Sequence, residues 1–417
     1  MESDFQRTKI FVTSCLALTV TAMTFAIRAE VVPTWGTAYQ LNGVQLGLIT
    51  GTAFWGFTLA QFIEGPLIDL LGMNRVLNIA FWGHMAGIVI TIFARSFWPL
   101  YIGTLLIGVA NGSVEAACNP MTATLYPDEK PKMLNRFHTW FAGGNVIGAL
   151  IAYGMVERLH ISWPWLMAVL VVPTLAYGYS FYNLELPQTE RVSSGISYKR
   201  MLKACVSPLF LFMMACMLLT ASTELGSEQW INLLLGKLGV SAMLLLALIN
   251  GIMAIGRSLA GPMIHRLSPP GVLLCSAIVS FAGLRWLSVA NGYSAFAAAF
   301  VFAVGVCYFW PTMLGFVAEY VPESGALGLN IMGGVGMLAV AIVLPVMGHW
   351  YDANKAHALG QGLGNVAAQL SAGRQTLQTI SFIPLILIVV FIGLYLRYRK
   401  GPEEHLDSEL SNVQSEA

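Results

Sequence analysis

Charge is what this chain has least of. Only 10% of its 417 residues are Asp, Glu, Lys or Arg, while 56% are hydrophobic; a soluble domain carries roughly 25% charged residues. A water-soluble fold is excluded by that balance. The net charge is +1 with no basic run or tail, which argues against a nucleic-acid partner. No Gly-x-x-x-x-Gly-Lys-Ser/Thr phosphate loop occurs, so ATP bound to this chain is not the expected energy source. Metal-ligand His/Cys spacing, a nucleophile elbow and a soluble stretch long enough for a catalytic domain are also missing. No enzyme, metal site or cofactor is therefore expected. The six cysteines, Cys15, Cys118, Cys205, Cys216, Cys275 and Cys307, are scattered in or beside apolar segments. Without paired spacing they read as small core residues, not as a disulfide framework.

What the chain has instead is apolar length. A bilayer core takes about 20 apolar residues per helix, and such stretches fall near 10–35, 44–68, 76–94, 98–124, 136–155 and 164–184, then near 207–231, 240–263, 272–290, 295–319, 327–348 and 376–396. The reading is an all-α membrane protein of twelve transmembrane helices in two six-helix bundles, 1–185 and 206–400, with a linker at 186–205 and a tail at 401–417. The first apolar run lacks a small-residue cleavage site, so it is expected to stay as the first helix. With both termini cytoplasmic, that side carries fourteen Lys and Arg against five on the other. This bias is the one the positive-inside rule expects for an even helix count in a cell membrane.

The halves repeat one another. Gly65-Pro66-Leu67-Ile68-Asp69 recurs as Gly261-Pro262-Met263-Ile264-His265, and Pro120 with Tyr126-Pro127 recurs as Pro311 with Tyr320-Val321-Pro322. Asn135 followed by Gly143-Gly144 is echoed by Asn330 followed by Gly333-Gly334. Internal repeats of this kind mark secondary transporters, which hold a site near the midplane between two units that rock about it. The expected partners are a small solute, protons and lipid, and the expected state is a monomer.

Acids inside apolar helices carry the chemistry, because a charge at mid-bilayer costs about 2.5–3.5 kcal/mol even on lenient scales. Glu115 and Asn119 are four apart and share a helix face, and Pro120 frees the carbonyl one turn back, near Ala116. A carboxyl, an amide and a loosened carbonyl on one face suit a hydroxylated ligand. Loss of water disfavours the charged form of an acid, so Glu115 is a candidate proton carrier. Glu30 lies nearer the outer end of its span, two residues after Arg28. A structural ion pair is the competing reading for both acids, with Arg28, Arg257 and Arg285 as available partners. Glu224 and Glu228, four apart in Thr223-Glu224-x-Gly226-x-Glu228-Gln229-Trp230, put two like charges on one face, which asks for a proton, cation or ligand between them. The glycine between them permits local unwinding. Emergence of the cluster into water is the alternative. Asn250 and Trp310 are candidate solute contacts of the second half, since amides bind sugar hydroxyls and aromatic faces stack on sugar rings. His138 is placed at the start of the fifth span near the cytoplasmic surface, as a relay or donor. Arg257 is placed a turn before the second Gly-Pro turn, at the cytoplasmic gate.

Gly65-x-x-x-Asp69-x-x-Gly72-x-x-Arg75 resembles motif A of the major facilitator superfamily, which implies a cytoplasmic latch around Asp69 and Arg75; His265 replaces the acid in the second copy. A finer resemblance is to the fucose/proton symporter branch. It rests on Glu30-Val31-Val32-Pro33, Asn42-x-x-Gln45-Leu46-Gly47, Gly112-x-x-Glu115-Ala116-x-x-Asn119-Pro120 and Leu134-Asn135-x-x-His138, the last standing where the branch commonly has Gln. The branch also has an acid resembling Glu228. The resemblance implies proton-coupled uptake of a sugar or related polyhydroxylated solute, with Glu30 and Glu115 in coupling. Rivals are an exporter of amphipathic compounds, a carrier of organic anions that uses Arg28 and Arg285, and a receptor or scaffold that has kept a transporter's shape.

Overall fold

The computed structural model describes residues 2–182, 184–228, 241–290 and 293–398, and among them it contains helices and no strands. Eleven helices of the described residues are long and apolar enough to cross a bilayer, and Met243–Ser258 is a shorter apolar helix. The first half holds α1 (Glu2–Ala38), α2 (Gly43–Leu71), α3 (Met73–Phe93), α4 (Phe97–Leu125), α5 (Lys130–Ala152) and α6 (Trp163–Tyr182). The second holds α7 (Pro208–Ala221), α8 (Ala242–Ser258), α9 (Ala260–Leu287), α10 (Ser294–Tyr320), α11 (Gly325–Gly360) and α12 (Asn365–Tyr398). Between them lie two short helices, Glu190–Ser193 and Tyr198–Cys205. Large apolar side chains such as Trp82, Trp98, Trp165, Val172 and Val389 stand exposed on the outside; lipid, not water, is the solvent that tolerates them.

Helices run past their apolar stretches. The fifth begins at Lys130 instead of 136, the eleventh continues to Gly360 and the twelfth starts at Asn365. Hydropathy marks where a helix meets hydrocarbon, whereas the backbone ladder continues into water until a cap or breaker stops it. At the start of α2 the stop is a capping box: the Gln45 N–H donates to Asn42 Oδ1 at 2.9 Å and the Asn42 N–H donates to Gln45 Oε1 at 3.0 Å. These two residues of the Asn-x-x-Gln motif therefore order a helix end.

Small residues set the helix contacts. A Cβ on Gly108 of α4 would meet the Thr52 carbonyl oxygen of α2 at 2.3 Å, and one on Gly112 would meet that of Phe57 at 2.6 Å. Without a hydrophobic drive between helices in lipid, such close backbone approach is what holds them together. The repeat is visible in backbone angles: Gly72 turns the chain after α2 (φ 79°, ψ 151°), and Ser268 does the same within the stretch Ala260–Leu287 (φ 61°, ψ 160°). The Gly261–His265 copy thus ends a helix before its turn, as Gly65–Asp69 does.

The halves meet along α2 with α11, α5 with α8 and α10, and α4 with α11. The largest buried apolar cluster crosses that boundary, joining Phe54, Phe57, Leu134 and Ala142 to Ile249, Met253, Trp310 and Met313. All six cysteines are unpaired, five of them buried.

Candidate functional site

The two proline-loosened helices each present a free carbonyl to the opposite half or its neighbour. Pro120 leaves the Ala116 carbonyl open, and Asn330 Nδ2 of α11 donates to it at 3.2 Å. Pro311 leaves the Cys307 carbonyl open, and Arg257 Nε of α8 donates to it at 2.6 Å. The carbonyl expected to face a solute at Ala116 is therefore used to bind the halves together. Asn135 completes the symmetry by donating from α5 to Thr312 Oγ1 of α10 at 3.2 Å.

Around these contacts runs a buried polar network. In the first half Asn119 Nδ2 donates to Glu115 Oε2 at 3.1 Å, and His138 Nε2 donates to Asn119 Oδ1 at 3.0 Å. Arg257 crosses the boundary, donating through Nη1 to the His138 carbonyl at 3.2 Å and through Nη2 to Glu224 Oε1 at 2.7 Å. Glu224 Oε2 accepts from the Trp310 backbone N–H at 3.3 Å. A second strand of the network lies beside it: Asn145 Nδ2 donates to Asn250 Oδ1 at 3.1 Å, and Asn250 Nδ2 donates to Glu228 Oε1 at 2.6 Å. Every side chain named here is buried, so this conformation closes the network to both faces.

Local structure explains the placement of Glu224. Where α7 passes Ser222–Gly226 the helix widens into a π-turn, the kind of distortion that concentrates at functional sites. The unwinding expected at Gly226 takes this form. The cluster does not emerge into water: Glu224 and Glu228 are 3% and 6% exposed. Their like charges do not face each other undamped, because Glu224 is held by Arg257 and Glu228 by Asn250. Gln229 and Trp230 lie outside the described residues.

Two expected positions are corrected. Arg257 is not at a gate near the surface; it is 2% exposed and sits in the middle of the network, because the helical path through α8 and the start of α9 reaches Ser268 before it turns. His138 is likewise 2% exposed, since the earlier start of α5 puts it two turns inside. For Glu30 the competing reading, an ion pair with Arg28, is not met among the described residues. Glu30 is half-buried near the far end of α1 and, among the described residues, has no hydrogen bond to the network. Thr24 of α1 is level with Asn111 of α4, whose Nδ2 donates to Thr24 Oγ1 at 2.9 Å. With a 1.5 Å rise per residue on two antiparallel helices, Glu30 and Glu115 are about 15 Å apart along the axis.

At the end that carries the linker, Asp69 accepts from Arg191 Nε and from the Thr189 hydroxyl. Arg75 is exposed, so the expected partner is replaced by the linker, which loops back under α2. Lys130 Nζ donates to Glu190 Oε1 at 2.8 Å and to the Ala318 carbonyl at 3.3 Å, and Arg200 pairs with Glu323. Gly65 is where α2 touches α11: a Cβ there would lie 2.7 Å from that of Asn330. The second copy's His265 is exposed and has no ion pair among the described residues. It borders a cavity of about 960 Å³ with Asp128, Glu129, Lys132, Arg266 and Glu319.

Several polar residues escaped sequence reasoning. Glu64 of α2 is buried and accepts from the Ser113 hydroxyl at 2.8 Å; the rule that picks out Glu115, an acid inside an apolar span, applies equally to it. Asn145 and the linker residues Thr189 and Arg191 gave no such signal. His84 is tied into the first bundle, its Nε2 donating to Asn111 Oδ1 and its Nδ1 accepting from the Tyr177 hydroxyl, both at 2.8 Å.

Two pseudo-symmetric helix bundles closing on a buried polar network define a polytopic membrane carrier. The chain belongs to the Major Facilitator Superfamily, whose family profile matches residues 11–344. It is 27% identical over 141 residues to "Solute carrier family 2, facilitated glucose transporter member 10" of Xenopus tropicalis, a stretch that is 33% of this chain and 25% of that protein. Its fold is similar to that of the E. coli fucose:proton symporter FucP, with 16% identity, TM-score 0.68, and 92% of this chain and 99% of that one covered. It is also similar to the human organic anion transporter MFSD10, with 15% identity, TM-score 0.69, and 92% and 99% covered. The chain thus spans only a quarter of the length of the frog transporter it matches.

Proposed function

We propose that this protein takes up a sugar or related polyhydroxylated solute together with protons, by alternating access between its two halves. The observation that carries this reading is the network from Glu115 through Asn119 and His138 to Arg257 and Glu224, because it joins titratable groups of both halves at mid-membrane. The glucose transporter name of the frog relative supports the solute class.

In this mechanism bundles 1–185 and 206–400 rock about the site, joined by the linker 186–205 on the cytoplasmic side. Glu115 is the coupling group. Among the described residues its carboxyl is held by an amide and by no base within ion-pair distance, so its proton exchanges when a face opens, whereas Glu224 is already balanced by Arg257. Glu30, near the outer end of α1, meets outside water first. The amides of Asn119, Asn145 and Asn250 and the carboxylate of Glu228 offer a solute paired donors and acceptors in place of their present contacts with one another, and Trp310 offers a ring face. Solute hydroxyls that take over these bonds loosen the α5–α8 boundary. The contacts of Asp69 with Arg191 and of Lys130 with Glu190 and Ala318 then release on the linker side. The cavity beside Glu319 gives water a route from that side.

The test is direct. Adding sugar to de-energised vesicles should make the medium alkaline, and Glu115→Gln should abolish accumulation while leaving exchange of labelled solute. Unchanged accumulation in Glu115→Gln would remove Glu115 from coupling; a ligand that binds without ever crossing in counterflow would favour a receptor.

A further inference from the structure

Arg28 is the charged group of α1 that this mechanism leaves without a task. Phe25, three residues earlier and so on the same helix face, packs against Phe54 of α2 and Phe141 of α5 at 6.0 and 5.9 Å between centroids. Phe54 and Phe25 adjoin the apolar cluster that crosses between the halves, so this face of α1 looks toward the site. The Arg28 guanidinium doubles back along the helix to lie 5.1 Å from the Phe25 ring centroid and 5.9 Å from that of Phe54.

Ring faces attract a cation but accept none of its hydrogen bonds in the way an oxygen does. A guanidinium stays charged and presents five N–H donors. Among the described residues Arg28 has no carboxylate partner and no hydrogen bond. The small pocket beside it, about 10 Å³, is lined by Thr24, Trp35, Thr104 and Asn111 with apolar residues and by no acid. Trp35 is 0% exposed, and among the described residues its indole N–H is also without an acceptor. Arg28 and Trp35 thus both line this pocket, and Arg28 brings a full charge with no carboxylate partner among the described residues.

The depth fits as well. Folded back over Phe25, the guanidinium is level with the Thr24–Asn111 contact, and Glu115 lies four residues further along α4, about 6 Å by helical rise. A ring held at Glu115 and Asn119 would carry a substituent to Arg28. We propose that Arg28 receives the carboxylate of the solute, so that the transported class is a sugar acid, a uronate or aldonate, in preference to a neutral sugar. A planar fork of donors matches a carboxylate in two parallel bonds. This rests on the uptake reading above and narrows it: one monoanion moving with one proton carries no net charge, so uptake follows the pH gradient and ignores the voltage.

The test measures binding of D-glucuronate and D-glucose to the purified protein by calorimetry, for the unaltered chain, Arg28→Gln and Arg28→Lys. Glucuronate should bind more tightly than glucose. Arg28→Gln should cut that preference by about tenfold or more while glucose binding stays, and Arg28→Lys should restore part of it. Glucose bound at least as tightly as glucuronate by the unaltered chain, or a preference unchanged in Arg28→Gln, overturns the inference and leaves sugar uptake standing. Response to neither compound overturns both. If Arg28→Gln loses glucose as well, its fold has failed, and the Arg28→Lys preference decides: retention supports the inference and loss overturns it.

Discussion

Arg257 is the residue on which most of the site hangs. It touches Glu224 on α7, the Cys307 carbonyl on α10 and the His138 carbonyl on α5, so three helices from two halves share one guanidinium. Removing one member of a buried pair strands the other charge, which costs about 3–5 kcal/mol, whereas replacing both by apolar residues is often neutral. Arg257→Met should therefore lower the melting temperature sharply, and Arg257→Met with Glu224→Met should recover most of the loss in the same melting assay. Recovery measures stability alone; transport should stay lost in the double variant, since the cross-half link is gone. Proton coupling carries its own sign. Raising the outside pH toward the inside value removes the gradient, so accumulation should fall, and it should fall no further once Glu115→Gln has uncoupled it.

At the scale of helices, packing and gating are separable. The α2–α4 contact depends on the bare backbone of Gly108 against the Thr52 carbonyl. Gly108→Leu has nowhere to put its side chain; overpacking of this kind costs about 1–3 kcal/mol or more, to be read as a lower melting temperature in detergent. Asp69 acts differently. Its side chain is almost fully enclosed by Arg191 and Thr189, and those residues belong to the linker, so Asp69→Asn should free the linker without disturbing α2. With Ala318→Cys as a reporter, now buried beside Lys130, Asp69→Asn should raise the rate of maleimide labelling from the linker side. Because Asp69 is almost fully enclosed, the Asp69→Asn protein should also melt at a lower temperature, the drop reporting the broken ion pair.

For the whole molecule, alternating access requires both ends of the α5–α8 boundary to part in turn. At the end away from the linker, Ser241 Oγ donates to Glu157 Oε1 at 2.6 Å, tying the start of α8 to the π-turn Tyr153–Arg158 that continues α5. Joining Glu157→Cys to Ser241→Cys by oxidation should arrest counterflow, and reductant should restore it. The native cysteines are largely buried and should not interfere. Persistent counterflow in the cross-linked protein would mean that the halves do not separate at this end.

Sequence alone determined the solvent, the number of spans, the doubling into two halves and the identity of the buried acid Glu115. These follow from composition, from apolar length and from spacings within one helix, all of which are local. Gly226, read as permitting local unwinding, ends a π-turn that begins at Ser222. What only the tertiary structure decided was partnership. Asp69 meets Arg191 in place of Arg75, Arg257 meets Glu224 at the centre instead of guarding a surface, and Arg28 lies on rings without Glu30. Asp69 and Arg191 are 122 residues apart in the chain, and Arg257 reaches His138 across 119. Helical periodicity fixes which face a side chain occupies, but which other face it meets depends on how closely small residues let the backbones approach, and that is settled only when all the helices pack.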